Sequence, residues 1–207
     1  MIDLSNNNPA GSDFGEAYAS GQRRLYVKIS EGVDFVDQTA AQLKTSAAGA
    51  GFKVGGYHFA RPDRDSHPID EADFFLRCLH DVFGSLYHGK HLRPCLDLEV
   101  GHADAKMGQW ATTFQRHVRS VLGIIPVIYS YSSFLQSCQF SAAEWPLWVA
   151  SYGVNNGGEY GYVTPAPWKT VAAHQFTSKA VVPGIPGLVD KSRVYQFGKI
   201  DVPLFAR

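Results

Sequence analysis

The feature that most restricts the fold of this chain is a regular alternation of short apolar strands with amphipathic helices over residues 1–138. Five strand segments each precede a helical segment, and they begin near Ile2, Leu25, Lys53, Cys95 and Ile124. After Trp148 the helical periodicity stops, and three more strand segments (about 148–152, 170–177 and 188–189) follow among glycines and prolines. Alternation of this kind predicts a parallel sheet with helices outside it.

Capping residues and apolar spacing locate the helices. Helices are predicted to begin at about Asp13, Asp37, Asp70 and Asp104, and a short fifth helix to end near Cys138. The segment 70–87 carries the clearest apolar stripe, which runs to Leu86.

Eight strands and five helices predict a TIM-like (β/α) barrel of the α/β class whose last part lacks helices. The 207 residues are close to the lower limit of about 200 for such a barrel. We expect residues 1–207 to form a single domain. An open doubly wound sheet is the alternative. Nucleotide binding has no support, since no Gly-x-Gly-x-x-Gly follows the first strand and no Walker loop occurs.

Charge and cysteine content exclude several classes. Lys plus Arg equals Asp plus Glu at 19 each, so no strong field favours nucleic acid or an anionic membrane as partner. Three cysteines outside any metal-ligand spacing predict neither a disulfide framework nor a metal site, and no cofactor is expected. The first residues lack a signal peptide and no apolar run reaches 18 residues, so we expect synthesis in a cytoplasm, without membrane insertion.

Two acids share one face of the predicted strand 95–100. Side chains alternate along a strand, so Asp97 and Glu99 point the same way, with Cα atoms about 6.5–7 Å apart. Neighbouring carboxyls raise each other's pKa, and one protonated acid beside one charged acid is what glycoside hydrolysis requires. The simpler interpretation is that both leave a strand end into solvent.

The carboxyl ends of the other strands carry further polar and aromatic residues, which would converge at one mouth of a barrel. They are Asp3, Lys28, Tyr57, His58, Phe59, Tyr129, Trp148, Tyr152, Gln175 and Asp190. Several have alternative roles. His58 alternates away from Tyr57 and is better interpreted as a hydrogen-bonded wall residue. The later aromatics could be core, Lys28 could serve a structural ion pair, and Asp190 could pair with Lys191 at the surface.

Six segments also resemble a known family. They are Met1–Ser5, Val27–Gly32, Gly56–Phe59, Leu96–Glu99, Leu147–Ala150 and Pro183–Asp190, and in their order and spacing they are similar to the glycoside hydrolase family 25 lysozymes. The resemblance runs from residue 2 to about residue 194. One departure is Ile29-Ser30, where Ala-Thr or Ala-Ser is common. A second is that no cell-wall-binding repeats occur within the 207 residues.

The resemblance implies a (β/α)5β3 barrel that hydrolyses the β-1,4 bond between N-acetylmuramic acid and N-acetylglucosamine in peptidoglycan. By motif position Glu99 resembles the proton donor and Asp97 the carboxylate that orients the 2-acetamido group. Asp3 and Asp190 match two further acids of the cleft. The resemblance places Tyr57, Phe59, Tyr129, Trp148 and Gln175 at sugar subsites, and we add Tyr152 and Lys28 as substrate-binding candidates.

From these observations we expect a monomeric lysozyme that acts on the bacterial wall, in phage-mediated lysis, with retention through an oxazolinium-like intermediate. The main alternative is a barrel that binds wall glycans without cutting them. A metal-dependent hydrolase with Asp3, His58, Asp97 and Asp190 as ligands is a second. A chitinase-like glycosidase is a third, although the longer acidic run of chitinases is missing.

Overall fold

The computed structural model describes residues 1–84, 87 and 89–201, so Leu86 of the predicted apolar stripe lies outside the described residues. The strands are β1 (Ile2–Leu4), β2 (Arg24–Glu31), β3 (Phe35–Val36), β4 (Lys53–Phe59), β5 (Cys95–Asp97), β6 (Val127–Tyr131), β7 (Leu147–Ala150), β8 (Ala173–Val182) and β9 (Ile185–Val194). The α-helices are α1 (Phe14–Ala19), α2 (Ala40–Gly49), α3 (Pro68–Phe83), α4 (Ala105–Leu122), α5 (Ser132–Ser137) and α6 (Phe197–Ile200).

Eight of these strands close into a barrel, in the order β1-β9-β8-β7-β6-β5-β4-β2 and back to β1. Neighbours from β1 to β8 run parallel, whereas β9 is antiparallel to both β8 and β1. The two-residue β3 only extends β2. The predicted (β/α) barrel without helices in its last part is confirmed, and the open doubly wound sheet is wrong because β1 pairs on both sides.

Two helix starts follow the predicted capping. Asp13 and Asp104 each accept a hydrogen bond from the backbone N–H three residues later. The predicted start of the second helix at Asp37 is wrong by three residues. The Asp37 carboxylate instead accepts hydrogen bonds from the backbone of Asn6 and Thr39, so the chain turns there and the helix begins at Ala40.

The predicted strand 95–100 is shorter than expected. It ends at Asp97, although the Leu98 N–H still donates to the Tyr129 carbonyl oxygen at 2.9 Å. The chain then turns at Gly101, whose φ of +101° is open to glycine and rare for other residues. Glu99 is therefore carried by the turn beyond the strand. The last two strands are longer than predicted, because they pair with each other as a hairpin.

A register shift in β2 changes one predicted face. Between Lys28 and Ser30 the pairing with β4 slips, so Ser30 stands beside His58 on the helix side of the barrel. In β4 the glycine pair allows close packing on both faces. A Cβ on Gly55 would lie 2.7 Å from Leu92 and from Tyr26, and one on Gly56 would lie 2.6 Å from Ile29.

Apolar residues form two buried groups. The larger lies between the barrel wall and the helices, and the smaller contains interior residues such as Tyr26, Cys95, Tyr129 and Trp148. The smaller group fills the barrel below its mouth, so that polar side chains can gather above it. None of the described helices is both long and apolar enough to span a bilayer.

Candidate active site

A cavity of about 480 Å³ opens at the mouth of the barrel, where the parallel strands end. Of the twelve candidate residues named from the sequence, all except His58 line it. They are Asp3, Lys28, Tyr57, Phe59, Asp97, Glu99, Tyr129, Trp148, Tyr152, Gln175 and Asp190. Parallel pairing brings the ends of β1, β2, β4, β5, β6, β7 and β8 to the same rim, so residues far apart in sequence become neighbours.

Five carboxyl groups line this cavity, and four of them, all but Glu31, are acids named from the sequence. Asp3 of β1 and Asp190 of β9 are direct partners in an antiparallel pair, which projects both side chains to one face with Cβ atoms about 4.5–5.5 Å apart. Asp97 ends β5, and Glu99 follows in the turn. The prediction that Asp190 lies at a strand's carboxyl end is wrong. It reaches the rim from the middle of β9, because that strand runs against its neighbours.

Burial raises the pKa of each of these acids, and repulsion by a neighbouring acid adds to it for Asp3, Asp97 and Glu99. Burial, followed by the charge of Asp190, raises the pKa of Glu99 to about 7. Burial raises the pKa of Asp190 to about 6. For Asp3 and Asp97 burial again comes first, followed by Asp190 and Glu99 respectively, and both pKa values lie well above the usual range. The cluster therefore retains protons close to neutral pH.

The cause of the raised pKa of Glu99 differs from the sequence-based expectation. We expect ionised Asp97 and partial burial to raise it; burial is the largest cause, but the neighbouring charge is Asp190 and not Asp97. Repulsion between Asp97 and Glu99 acts chiefly on Asp97, which is the more deeply buried of the two.

One oxygen of Asp97 has no hydrogen-bond partner within the described part of the chain. Its side chain is buried, with the residue 7% exposed, and Oδ1 is shielded from solvent. A buried acceptor without a donor costs about 1–3 kcal/mol. Because Asp97 lines the cavity, a ligand N–H or O–H could supply the missing bond.

The wall that begins next to Asp97, at its register partner Tyr129, is a hydrogen-bonded layer. The hydroxyls of Tyr129 and Tyr152 both donate to Oε1 of Gln175 at 2.6 Å, and Nε2 of Gln175 donates to the Asp3 carboxylate at 3.1 and 3.3 Å. The Trp148 indole N–H donates to Ser192 Oγ at 3.0 Å. These side chains are largely buried, and they hold the rim rigidly.

A second wall is ionic and was only partly found from the sequence. Lys28 Nζ lies 2.7 Å from Glu31 and 5.1 Å from the ring centroid of Phe59. Arg61 contacts the other oxygen of Glu31 at 2.7 Å and also pairs with Asp63. The bonds from Lys28 and Arg61 outweigh burial, which acts in the opposite direction, and lower the pKa of Glu31.

Sequence reasoning missed six residues that line the cavity: Ser5, Asn7, Asn8, Glu31, Arg61 and Cys95. Glu31 ends β2 and Arg61 comes two residues after β4, so the strand-end rule could have found both. The three residues after β1 could have been found in the same way. Cys95 is the first residue of β5 and forms part of the floor.

His58 lies outside the cavity, as its alternation with Tyr57 predicted. Its ring contacts Phe75 and Phe114, Nδ1 bonds Ser30 Oγ at 2.9 Å, and Nε2 bonds Glu71 at 2.8 Å. The four ligands of the metal-dependent alternative are therefore not brought together. The described residues also hold no cluster of three or more His, Cys, Asp or Glu suited to a metal ion.

Chemically, the arrangement combines a carboxyl protonated near neutral pH with further acids in an open cleft. Glu99 can donate a proton to a bound leaving group, and Asp97 can accept a hydrogen bond or stabilise positive charge. Aromatic edges and hydroxyls around them suit a ligand with apolar faces and polar rims, as a sugar has.

Comparison with known proteins agrees with this geometry. The model for "Glycosyl hydrolases family 25" matches residues 2–185. Lysozyme M1 of Streptomyces globisporus is 28% identical over 187 residues, which are 84% of this chain and 60% of that protein. The N,O-diacetylmuramidase of Arthroderma benhamiae is 30% identical over 173 residues, which are 76% of this chain and 71% of that protein.

Among solved structures, the bacterial lysozyme from Streptomyces coelicolor is similar with a TM-score of 0.81 and 26% sequence identity. That similarity covers 93% of this chain and 90% of the other. Against the two bacterial relatives that it matches in sequence, the chain spans only 60% and 50% of their length.

Proposed function

The chain belongs to the glycosyl hydrolases family 25, and from this membership we propose that it is an N-acetylmuramidase, a lysozyme. Its substrate would be the β-1,4 bond between N-acetylmuramic acid and N-acetylglucosamine in bacterial peptidoglycan. The observation that carries the proposal is Glu99, a carboxyl with a pKa of about 7 in an open cleft beside the unpaired oxygen of Asp97.

In the first step Glu99 donates its proton to the glycosidic oxygen, and the bond from that oxygen to C1 of the muramic acid breaks. Asp97 accepts a hydrogen bond from the N–H of the 2-acetamido group, which meets the need of its buried Oδ1. The acetamido oxygen then bonds C1 from the opposite face, which gives an oxazolinium-like intermediate.

In the second step water attacks C1, the bond to the acetamido oxygen breaks, and Glu99 takes the proton from that water. Two inversions leave the configuration at C1 unchanged. Asp97 and Glu99 lie two residues apart and line the same cavity, which suits a proton donor with an acetamido-orienting partner. Asp3 and Asp190 would add negative charge near the developing oxocarbenium ion.

Analysis of the sugar ends tests the activity. Purified peptidoglycan is digested, the new reducing ends are reduced with borohydride, and the muropeptides are examined by mass spectrometry. We expect reduced N-acetylmuramic acid with the wild type and almost none with Glu99→Gln. Reduced N-acetylglucosamine would contradict the proposed bond. Binding of the wild type to the glycan without any new ends would favour the non-catalytic barrel.

Two further proposals concern the oligomeric state of the chain and its biological role. We propose that residues 1–207 act as one monomeric catalytic domain, because β1 and β9 meet to close the barrel. We further propose a part in phage-mediated lysis. Production inside a bacterium should cause lysis only when a membrane-permeabilising protein is produced with it. Gel filtration of the purified chain tests the monomer.

A further inference from the structure

Gln175 was expected to contact sugar, yet its surroundings indicate a different role. The residue is 2% exposed, so its side chain offers almost no surface to a ligand. Both ends of its amide are already bonded, with Oε1 accepting from Tyr129 and Tyr152 and Nε2 donating to Asp3. Because these bonds occupy both ends of the amide, Gln175 can affect a bound ligand only through Tyr129, Tyr152 and Asp3.

The orientation of the amide follows from these partners. The Tyr129 hydroxyl donates and requires the carbonyl end of the amide, and the carboxylate of Asp3 requires the N–H end. The Tyr152 hydroxyl lies between Gln175 and Asp190, and its hydrogen bond to Asp190 lowers the pKa of that acid. Burial raises the pKa of both Tyr129 and Tyr152, so the hydroxyls remain protonated donors. The reversed amide would direct its oxygen at Asp3, which is acceptable only when Asp3 carries a proton. The hydrogen bond from Gln175 therefore opposes the protonation of Asp3, whose pKa burial and the charge of Asp190 raise well above its usual range.

The other groups around Asp3 mostly act in the opposite direction. Burial and the charges of Asp190 and Glu99 favour its protonated form, while Gln175 favours the carboxylate. The Met1 amine also favours the carboxylate where it is protonated, but burial lowers its pKa to about 6. The remaining titratable groups that line the same cavity are Lys28, Glu31, Tyr57, Arg61, Cys95, Asp97, Tyr129 and Tyr152, and Lys191 follows Asp190 in β9. Among the causes that stabilise the charge of Asp3, the hydrogen bond from Gln175 is the largest.

We propose that Gln175 is a positioning residue: its amide donates to the carboxylate of Asp3, which opposes the protonation of that acid, and it holds the tyrosine hydroxyls at the rim. Carboxyls that share a site titrate together, so a hydrogen bond that opposes the protonation of Asp3 shifts the shared proton towards Glu99. Gln175 would then help to keep the proton donor ready. This inference rests on the proposed muramidase function.

Two substitutions test the proposal, with a matched control elsewhere. Gln175→Met keeps the volume and removes all the amide bonds. Gln175→Glu keeps an acceptor for the tyrosines but places a second carboxyl against Asp3. Gln115 in α4 is also fully buried, and its Nε2 donates to the Val127 carbonyl oxygen at 3.0 Å outside the cavity. Gln115→Met therefore measures the effect of losing a buried amide far from Asp3.

Kinetics and carboxyl titration are the two readouts. For Gln175→Met we expect kcat to fall about 10- to 100-fold, with KM changed by less than about threefold. The ¹³C signal of the Asp3 carboxyl, assigned with Asp3→Asn, should titrate at a higher pH than in the wild type. In Gln175→Glu the Asp3 titration should also move upward, and kcat should fall. Gln115→Met should leave kcat and the Asp3 titration unchanged.

Two results would overturn the proposal. A raised KM with unchanged kcat and unchanged Asp3 titration would mean direct contact with sugar. Equal loss of stability in Gln175→Met and Gln115→Met, with wild-type kcat and Asp3 titration in both, would mean a purely structural role. If the wild type cleaves no peptidoglycan, the proposed function fails. The Asp3 titration still tests the hydrogen bond from Gln175.

Discussion

Glu99 needs a proton at the pH at which it works, and its surroundings supply one. With a pKa of about 7, it is mostly protonated below neutral pH and mostly ionised above it. We therefore expect kcat/KM on solubilised peptidoglycan to fall about tenfold per pH unit well above pH 7. Rates measured from pH 5 to pH 9 check this, and a rate that stays constant to pH 9 would argue against Glu99 as the donor.

The ionised form of Glu99 makes the fold less stable, because it is buried. Its pKa is higher in the folded chain than the ordinary 4.5, so the folded state binds the proton more tightly than the unfolded state does. This contribution to stability is complete below about pH 4.5 and is lost as the pH rises through about 7. Glu99→Gln should therefore raise the free energy of unfolding above pH 7, by at most about 3 kcal/mol.

Denaturant unfolding of both proteins at pH 4 and pH 8 measures this difference. The gain should be present at pH 8 and absent at pH 4, where Glu99 is protonated in both states. An equal gain at the two pH values would mean that the substitution acts through packing and not through charge.

At the residue scale, the acids of the cavity could be predicted from the sequence, whereas the residues that bond to one another around them could not. Asp97 and Glu99 follow from strand alternation, and Asp3 from the strand-end rule. The Glu31–Arg61 pair joins two strands, and such a contact leaves no periodic pattern in either segment. The burial of Gln175 depends on partners from β1, β6 and the segment after β7, so it could not be inferred from β8 alone.

At the scale of elements, helix α4 packs with its backbone directly against the end of α5. A Cβ on Gly108 of α4 would overlap the backbone carbonyl oxygen of Cys138, which caps α5. The backbone cannot move away cheaply, so Gly108→Ala should destabilise the fold by about 1–3 kcal/mol.

Gly49, the last residue of α2, is the matched control, because a Cβ there meets nothing within 4 Å. Gly49→Ala should stabilise the fold by about 0.4–1 kcal/mol, since alanine restricts the unfolded chain. Thermal unfolding of both variants measures the contrast. A stable Gly108→Ala protein would mean that α5 can shift at no cost.

At element boundaries, tertiary contacts override the start and the face that the local sequence pattern predicts. Asp37 is a residue type that commonly starts a helix, yet its carboxylate accepts from the backbone N–H of Asn6, two residues after β1, and the helix begins later. Alternation in β2 predicts Ser30 on the face of Lys28, but the pairing slip turns it towards His58. Both outcomes depend on segments that are remote in sequence, so a reading of local periodicity cannot include them.

For the molecule as a whole, closure of the barrel depends on β1, a strand of only three residues. The three residues of β1 join β2 on one side and β9 on the other, and Ile2 is fully buried. Ile2→Ala should cost about 2–5 kcal/mol. Because the loss affects closure, the near-ultraviolet and far-ultraviolet circular dichroism should still change in one transition.

Val181 provides the control for that test. It lies on the β8–β9 hairpin with 77% of its surface exposed, so Val181→Ala should change the free energy of unfolding by less than about 0.5 kcal/mol. Separate transitions for the two signals in Ile2→Ala would mean that β1 and β9 can detach while the rest of the barrel stays folded.

The reversed direction of β9 restricts how this chain can change length during evolution. Asp190 reaches the acids through its register with Asp3, and its neighbours Val189 and Lys191 point to the other side. Insertion or loss of one residue in β9 next to this pair would place Val189 or Lys191 opposite Asp3, and the cavity would lose the carboxyl group of Asp190. Length variation among descendants should therefore be absent from β9 next to Asp190, and the hairpin tip is restricted as well, because the Asp13 N–H donates to the Gly184 carbonyl oxygen at 2.6 Å.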